Sequence, residues 1–178
     1  PIDKDVMQSA LDVTVRRFPS MAVRLCKGVF WYYLEELSEA PSLSAEKGHP
    51  LEQMTARDVS RCALKVLVYE NRVAVELFHS LTDGNGGLVF LKTLIAEYLE
   101  QLYGISVPTE KGVLDRREEP HEGEMEDSFI KYKGGAALSR KDTDAFRIKG
   151  TKDPDGFVTN TAFLLPVDEI HKEAKKYG

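Results

Sequence analysis

Cysteine is scarce in this 178-residue chain: Cys26 and Cys62 are the two, and they form no CxxC pair. That excludes a disulfide framework and points to a reducing, cytoplasmic setting. No run approaches the ~18 consecutive apolar residues of a membrane-spanning helix, and no basic-then-apolar leader opens the chain. Internal repeats are absent. There is also no surplus of basic charge. The net charge is −5, and residues 110–127, with eight acids against three bases, account for all of it. A neutral body with one acidic stretch lacks the electrostatic footprint of a DNA- or RNA-binding protein. Apolar residues at 42% and charged residues at 30% are ordinary for a globular domain and exclude collagen-like or wholly disordered chains.

The pattern along the chain is mixed α and β. Val6, Ala10, Leu11, Val13 and Val15 recur at helical spacing over residues 5–18, with Asp3 or Asp5 as cap and Pro19 as stop. Residues 21–25 alternate as a strand, Lys27-Gly28 turns the chain, and residues 29–34 (VFWYYL) read as the returning strand. Residues 38–58 read as loop. Residues 62–69 and 72–78 are two strands joined by the two-residue connection Glu70-Asn71. A helix with a broad apolar stripe follows from Leu88 to Tyr103, with Gly104 as its C-terminal cap. Residues 105–155 form a long acidic connection without its own core. Residues 156–165 read as a further strand, and a short helix opens at Pro166-Val167-Asp168. The fold class is therefore α+β in two layers, with a mixed, largely antiparallel sheet and flanking helices, in a single domain spanning 1–178.

Chemistry concentrates at one junction. His49, His121 and His171 read as solvated surface residues. His79 ends an apolar strand and opens a glycine-rich turn. There it either holds the turn by hydrogen bonds or projects its imidazole into a cleft. Asp83, four residues on, reads as a cap or loop brace, while Gly84, Gly86 and Gly87 clear side chains from the helix start. Familiar motifs fail here. A dinucleotide fingerprint from Gly84 needs glycine where Val89 stands. A calcium loop from Asp83 needs glutamate where Leu94 stands. Sequence spacing supplies no third metal ligand for His79 and Asp83, so no metal is expected. No GxSxG elbow is present, and neither cysteine has a histidine in local register.

What remains is HSLTDG at 79–84. It resembles the HxxxDG motif of the chloramphenicol-acetyltransferase-like superfamily, which includes plant-type acyltransferases, alcohol acetyltransferases and peptide-synthetase condensation domains. The flanks are similar too: a hairpin before the motif, a long amphipathic helix after it, and the upstream stretch RFPSMAVRL at 17–25. FWYYLEE at 30–36 and FHSLTDGNGGLVFLKTLIAEYL at 78–99 most resemble bacterial alcohol acetyltransferase-like proteins. The resemblance covers the chain but only the N-terminal half of that fold. It implies a second αβ half beyond Gly178 that completes the channel and carries the oxyanion-stabilising groups. Pro1 and Gly178 are accordingly read as cut ends.

The resemblance implies that His79 is the general base acting on the acceptor hydroxyl, a task suited to an imidazole, whose ordinary pKa is about 6.5. It implies that Asp83 holds the loop through an arginine, for which Arg24 is the candidate, and that Gly84 leaves room for the arm of the donor. Acyl-CoA is then the co-substrate and a small alcohol the acceptor, with no permanently bound cofactor. Phe78, where condensation domains have a first histidine, speaks against carrier-protein thioesters as donors. Two alternatives stay open: a condensation-type domain, and a non-catalytic binding module of the same half-fold. Half a channel is expected to be inactive alone and to expose apolar surface that favours a homodimer.

Overall fold

The computed structural model describes residues 1–46, 54–126, 131–132, 149–151 and 163–177. The chain divides into two compact units, Pro1–Ala145 and Phe146–Gly178. The candidate site lies in the first.

Helix α1 (Lys4–Arg17) starts where the Asp3 carboxylate accepts the Asp5 and Val6 amides, each at 3.1 Å. That satisfies two of the four amides a helix start leaves unpaired. Asp5 in its first turn and Arg16 and Arg17 in its last complement the helix dipole. The spacing of Met7, Ala10, Leu11, Thr14 and Val15 puts all five on one buried face. Thr14, polar and fully buried, donates its hydroxyl to the Ala10 carbonyl at 2.8 Å. The helix stops at Phe18, the residue before Pro19.

Strands β1 (Val23–Lys27) and β2 (Tyr32–Glu36) pair antiparallel, with Arg24 opposite Glu35. They begin two and three residues later, respectively, than the sequence predicts. Val29, Phe30 and Trp31 form the connection instead of extending β2, and they stand 83%, 88% and 64% exposed. β3 (Ser44–Ala45) pairs parallel with β4 (Leu64–Tyr69), which pairs antiparallel with β5 (Arg72–Leu77). Thus the described residues form two small sheets, one of them mixed, rather than one. The predicted turn is in place: Tyr69 faces Arg72, and Glu70 takes φ 48°. Between β3 and β4 lies α2 (Ala56–Val59), where loop was expected. Thr55 and Asp58 cap each other reciprocally there, and the bonds from Thr55 hold the Asp58 carboxyl down to about 2.

Along β4, Leu64, Val66 and Val68 are buried while the residues between them are half-buried, the period-2 signature of a sheet covered on one face. They share a core with α1 and with Phe90, Leu94 and Tyr98 of α3 (Gly84–Tyr103). Removing a large apolar side chain such as Phe90 from water contributes about 1.5–3 kcal/mol. The Phe18 ring meets the Phe90 ring edge-on at 5.3 Å, and the Tyr98 hydroxyl accepts the Asp3 amide at 3.0 Å. Gly104 ends α3 at φ 64°, a left-handed cap.

Beyond α3 the chain is irregular up to α4 (Glu122–Met125), but residues 107–124 are fastened back along the helix as a strap. The Val107 amide donates to Glu100 Oε1 at 2.7 Å, Lys92 Nζ to the Lys111 carbonyl at 3.0 Å, and the Leu114 amide to Thr93 Oγ1 at 3.1 Å. Arg116, almost buried, bridges Glu97 at 3.2 Å and Glu100 at 2.6 Å. Part of the acidic stretch is therefore internal wiring.

Of the strand predicted at 156–165, residues 156–162 lie outside the described residues, and 163–165 form none. In the second unit α5 (Val167–Ala174) follows Pro166 as predicted, with Asp168 and Glu169 in its first turn and His171 and Lys172 in its last. No described helix is long and apolar enough to cross a membrane.

Candidate functional site

β5 and α3 are joined by a tight loop. The Phe78 amide donates to the Ala63 carbonyl at 2.9 Å, extending the β4–β5 pairing by one bond, and the Leu81 amide closes a turn on the Phe78 carbonyl at 2.9 Å. His79 stands at that turn, exposed. Among the described residues nothing hydrogen-bonds its ring. It does not brace the turn.

Asp83 is the N-cap of α3. Its Oδ1 accepts the Gly86 amide at 2.8 Å, and its carbonyl accepts the Gly87 amide at 3.1 Å. A carboxylate at this end is favoured both by the unpaired amides and by the helix dipole. Arg24 is not its partner. Arg24 lies across the hairpin from Glu35 and forms an ion pair with it, which raises the guanidinium and lowers the carboxyl from their ordinary pKa values. The antiparallel register places those two side chains on one face, so the nearer charge takes the arginine.

His79, Asp83 and Gly84 share an open groove of about 340 Å³, whose apolar wall is built by Val75, Leu77, Leu88 and Leu91. The three candidate residues thus come together on one groove, with the ring at the strand end and the glycine at the helix start. A side chain added at Gly84 would touch nothing within 4 Å, whereas one at Gly86 would overlap Thr82 Oγ1. Gly86 is needed by the loop itself. Gly84 is not, and the space above it is free for a ligand.

His121 pairs with Glu118 at 3.1 Å on the exposed strap, His171 is exposed on α5, and His49 lies outside the described residues. Among the described residues no three His, Cys, Asp or Glu side chains cluster to hold a metal ion. Both cysteines are free, and burial pushes the Cys62 thiol up.

Arg17 is a charged residue whose role the sequence does not announce. Its side chain is 2% exposed, and it binds Glu124 through both terminal nitrogens at 2.6 and 2.9 Å and the Asp115 carbonyl through Nε at 3.1 Å. These bonds hold the Glu124 carboxyl at about 2. Its partners are 98 and 107 residues away, so the sequence offers no local signal for the pair.

No protein-family model and no curated protein matches the chain. Among solved structures it is similar to SgcC5 from Streptomyces globisporus, determined in complex with (R)-(-)-1-(2-naphthyl)-1,2-ethanediol and sucrose. Identity is 19%, and the match covers 60% of this chain and 29% of that one with a TM-score of 0.46. The match thus spans under a third of that protein's length. Likeness of this degree assigns no family.

Proposed function

We propose that the chain is the N-terminal half of an acyl-CoA-dependent O-acyltransferase fold of the alcohol acetyltransferase-like kind, acting in the cytoplasm. The observation that carries this reading is an exposed imidazole, free of hydrogen-bond partners among the described residues, on an open groove at a capped helix start. His79 takes the proton of a small alcohol as its oxygen attacks the carbonyl carbon of the acyl thioester. The tetrahedral adduct collapses, the carbon–sulfur bond breaks, and the imidazolium returns the proton to the departing CoA thiolate. Atoms balance without an acyl-enzyme, metal or redox partner. Asp83 keeps the loop in place, and Gly84 gives the pantetheine arm access to the groove. The groups that stabilise the oxyanion and close the channel belong to the second half of that fold.

The test is acyl transfer from acetyl-CoA to short alcohols in the full-length protein. His79→Ala should lower turnover by about 10²–10⁴-fold, the usual contribution of a positioned general base, with the unfolding temperature unchanged. Undiminished turnover overturns the assignment.

One observation favours a second reading, a binding module without catalysis. Residues 29–34 expose six consecutive apolar side chains on the β1–β2 hairpin, more than a surface carries without a use. On this reading the hairpin pairs two copies, and scattering mass reports a dimer that hairpin substitutions dissociate. A condensation-type domain would instead require a carrier-protein thioester in place of free CoA.

A further inference from the structure

A second cavity, of about 330 Å³, lies beside the groove of His79 and shares Thr82 with it. Its walls come from three separate stretches of the first unit. The turn after α1 contributes Phe18 and Met21, the first turns of α3 and the loop before them contribute Leu81 and Val89, and the strap contributes Leu114 and Met125. This volume is in the range of small-molecule sites, and its lining is mainly side chains that favour hydrocarbon over water.

The charges at its edge decide what fits. Arg17 and Glu124 both line the cavity, and they are joined bidentately at 2.6 and 2.9 Å. The guanidinium Nε donates to the Asp115 carbonyl at 3.1 Å, and Glu118 Oε2 lies 3.7 Å from Nη2. One cation facing two carboxylates leaves no surplus positive charge to hold an anionic ligand, which would lose its hydration without a counter-ion. An uncharged hydrocarbon loses nothing of that kind.

We infer that this cavity is a binding site for an uncharged, hydrocarbon-bearing small molecule, for which 1-octanol serves as a probe. The inference rests on the cavity and its ion pair and is independent of acyl transfer at His79. The chain offers its own reporters. Of its four methionines, Met21 and Met125 line the cavity, while Met7 is sealed in the main core and Met54 sits by a separate small cluster.

Methyl-labelled methionine spectra of the intact chain, titrated with 1-octanol and separately with octanoate, test the site. Saturable shifts at Met21 and Met125, with Met7 and Met54 still, are expected, and octanoate should bind at least about tenfold more weakly. In Glu124→Gln, which leaves Arg17 without its bidentate acceptor, the preference should swing toward octanoate. No shift, a uniform non-saturating shift of all four methyls, or octanoate binding as tightly as octanol in the unmodified chain overturns the inference. The decisive spectra come from the unmodified chain, so the inference stands or falls on them even where the variant fails to fold. Silent methyls beside an active His79 would reject this site alone. Shifted methyls with an inert His79 would reject only the transferase reading.

Discussion

Gly84, Gly86 and Gly87 occupy one helical turn and serve different ends. At Gly86 a methyl would collide with Thr82 Oγ1, and at Gly87 it would press on Leu77 Cδ1 at 2.9 Å, the yielding tip of a side chain. At Gly84 it would meet open space. Gly86→Ala should therefore destabilise the chain by about 1–3 kcal/mol, as overpacking does, read as a lowered midpoint in denaturant. Gly84→Ala should hold stability or gain up to about 1 kcal/mol from a stiffer unfolded chain. Under the transferase reading it should still raise the KM for acyl-CoA. Residue identity alone singles out the loop, but it does not sort these glycines. What distinguishes them is Thr82 and Leu77, whose positions depend on how β5 meets α3. Arg24 departs from expectation for a related reason, since a hairpin neighbour eleven residues away outcompetes a carboxylate in another element.

Among the elements, those built from local patterns are legible in the sequence. The alternation of β4, the two-residue turn and the striped helix α3 each carry their signal within a few residues. β3 carries none. Two residues become a strand only because β4 lies beside them in parallel. The strap is likewise invisible locally, its fastenings spread over α1 and α3. One of them isolates its worth: Thr93, fully buried, donates to the Val89 carbonyl at 2.8 Å and accepts the Leu114 amide. Thr93→Val keeps the shape and removes both bonds. It should cost about 0.5–1.5 kcal/mol, the usual net worth of a hydrogen bond, by orphaning the half-buried Leu114 amide, and should accelerate hydrogen exchange at Leu114 more than at β4 amides. The β1–β2 hairpin offers another measurement, because Trp31 is the only tryptophan of the chain. At 64% exposure its fluorescence should be red-shifted and readily quenched by iodide in the monomer. Protection that grows with protein concentration would show a second copy covering the hairpin.

At the scale of the molecule, the buried apolar residues among those described fall between Met7 and Tyr98, and Glu100 and Glu124 help fasten the acidic stretch beyond them, while Asp58 and Glu35 are paired elsewhere. Glu124 and Asp58 are each held at about 2, and Glu35 and Glu100 are lowered as well. Such depressed carboxyls contribute stability that is complete above their unfolded values, about 3.9–4.3, and is lost as pH falls through the folded ones. These groups should thus lower the thermal midpoint mainly between about pH 4 and 2 and leave it unaffected above about pH 5. Calorimetry across that range checks the window, and a Glu124→Gln variant should show a shallower acid limb. The overall balance of helix and strand is legible from periodicity. How the strap's charge is neutralised is not, because Arg17 and Arg116 find their partners only in three dimensions.

The amide of Ile2 donates to the Glu70 carbonyl at 2.7 Å, so the polypeptide enters this body beside the turn that precedes β5. His79 follows the far end of that six-residue strand, roughly 20 Å away at the usual rise per residue. A dye placed beside Ile2 would therefore sit at the opposite end of β5 from the imidazole and would report on the turn without reaching the groove.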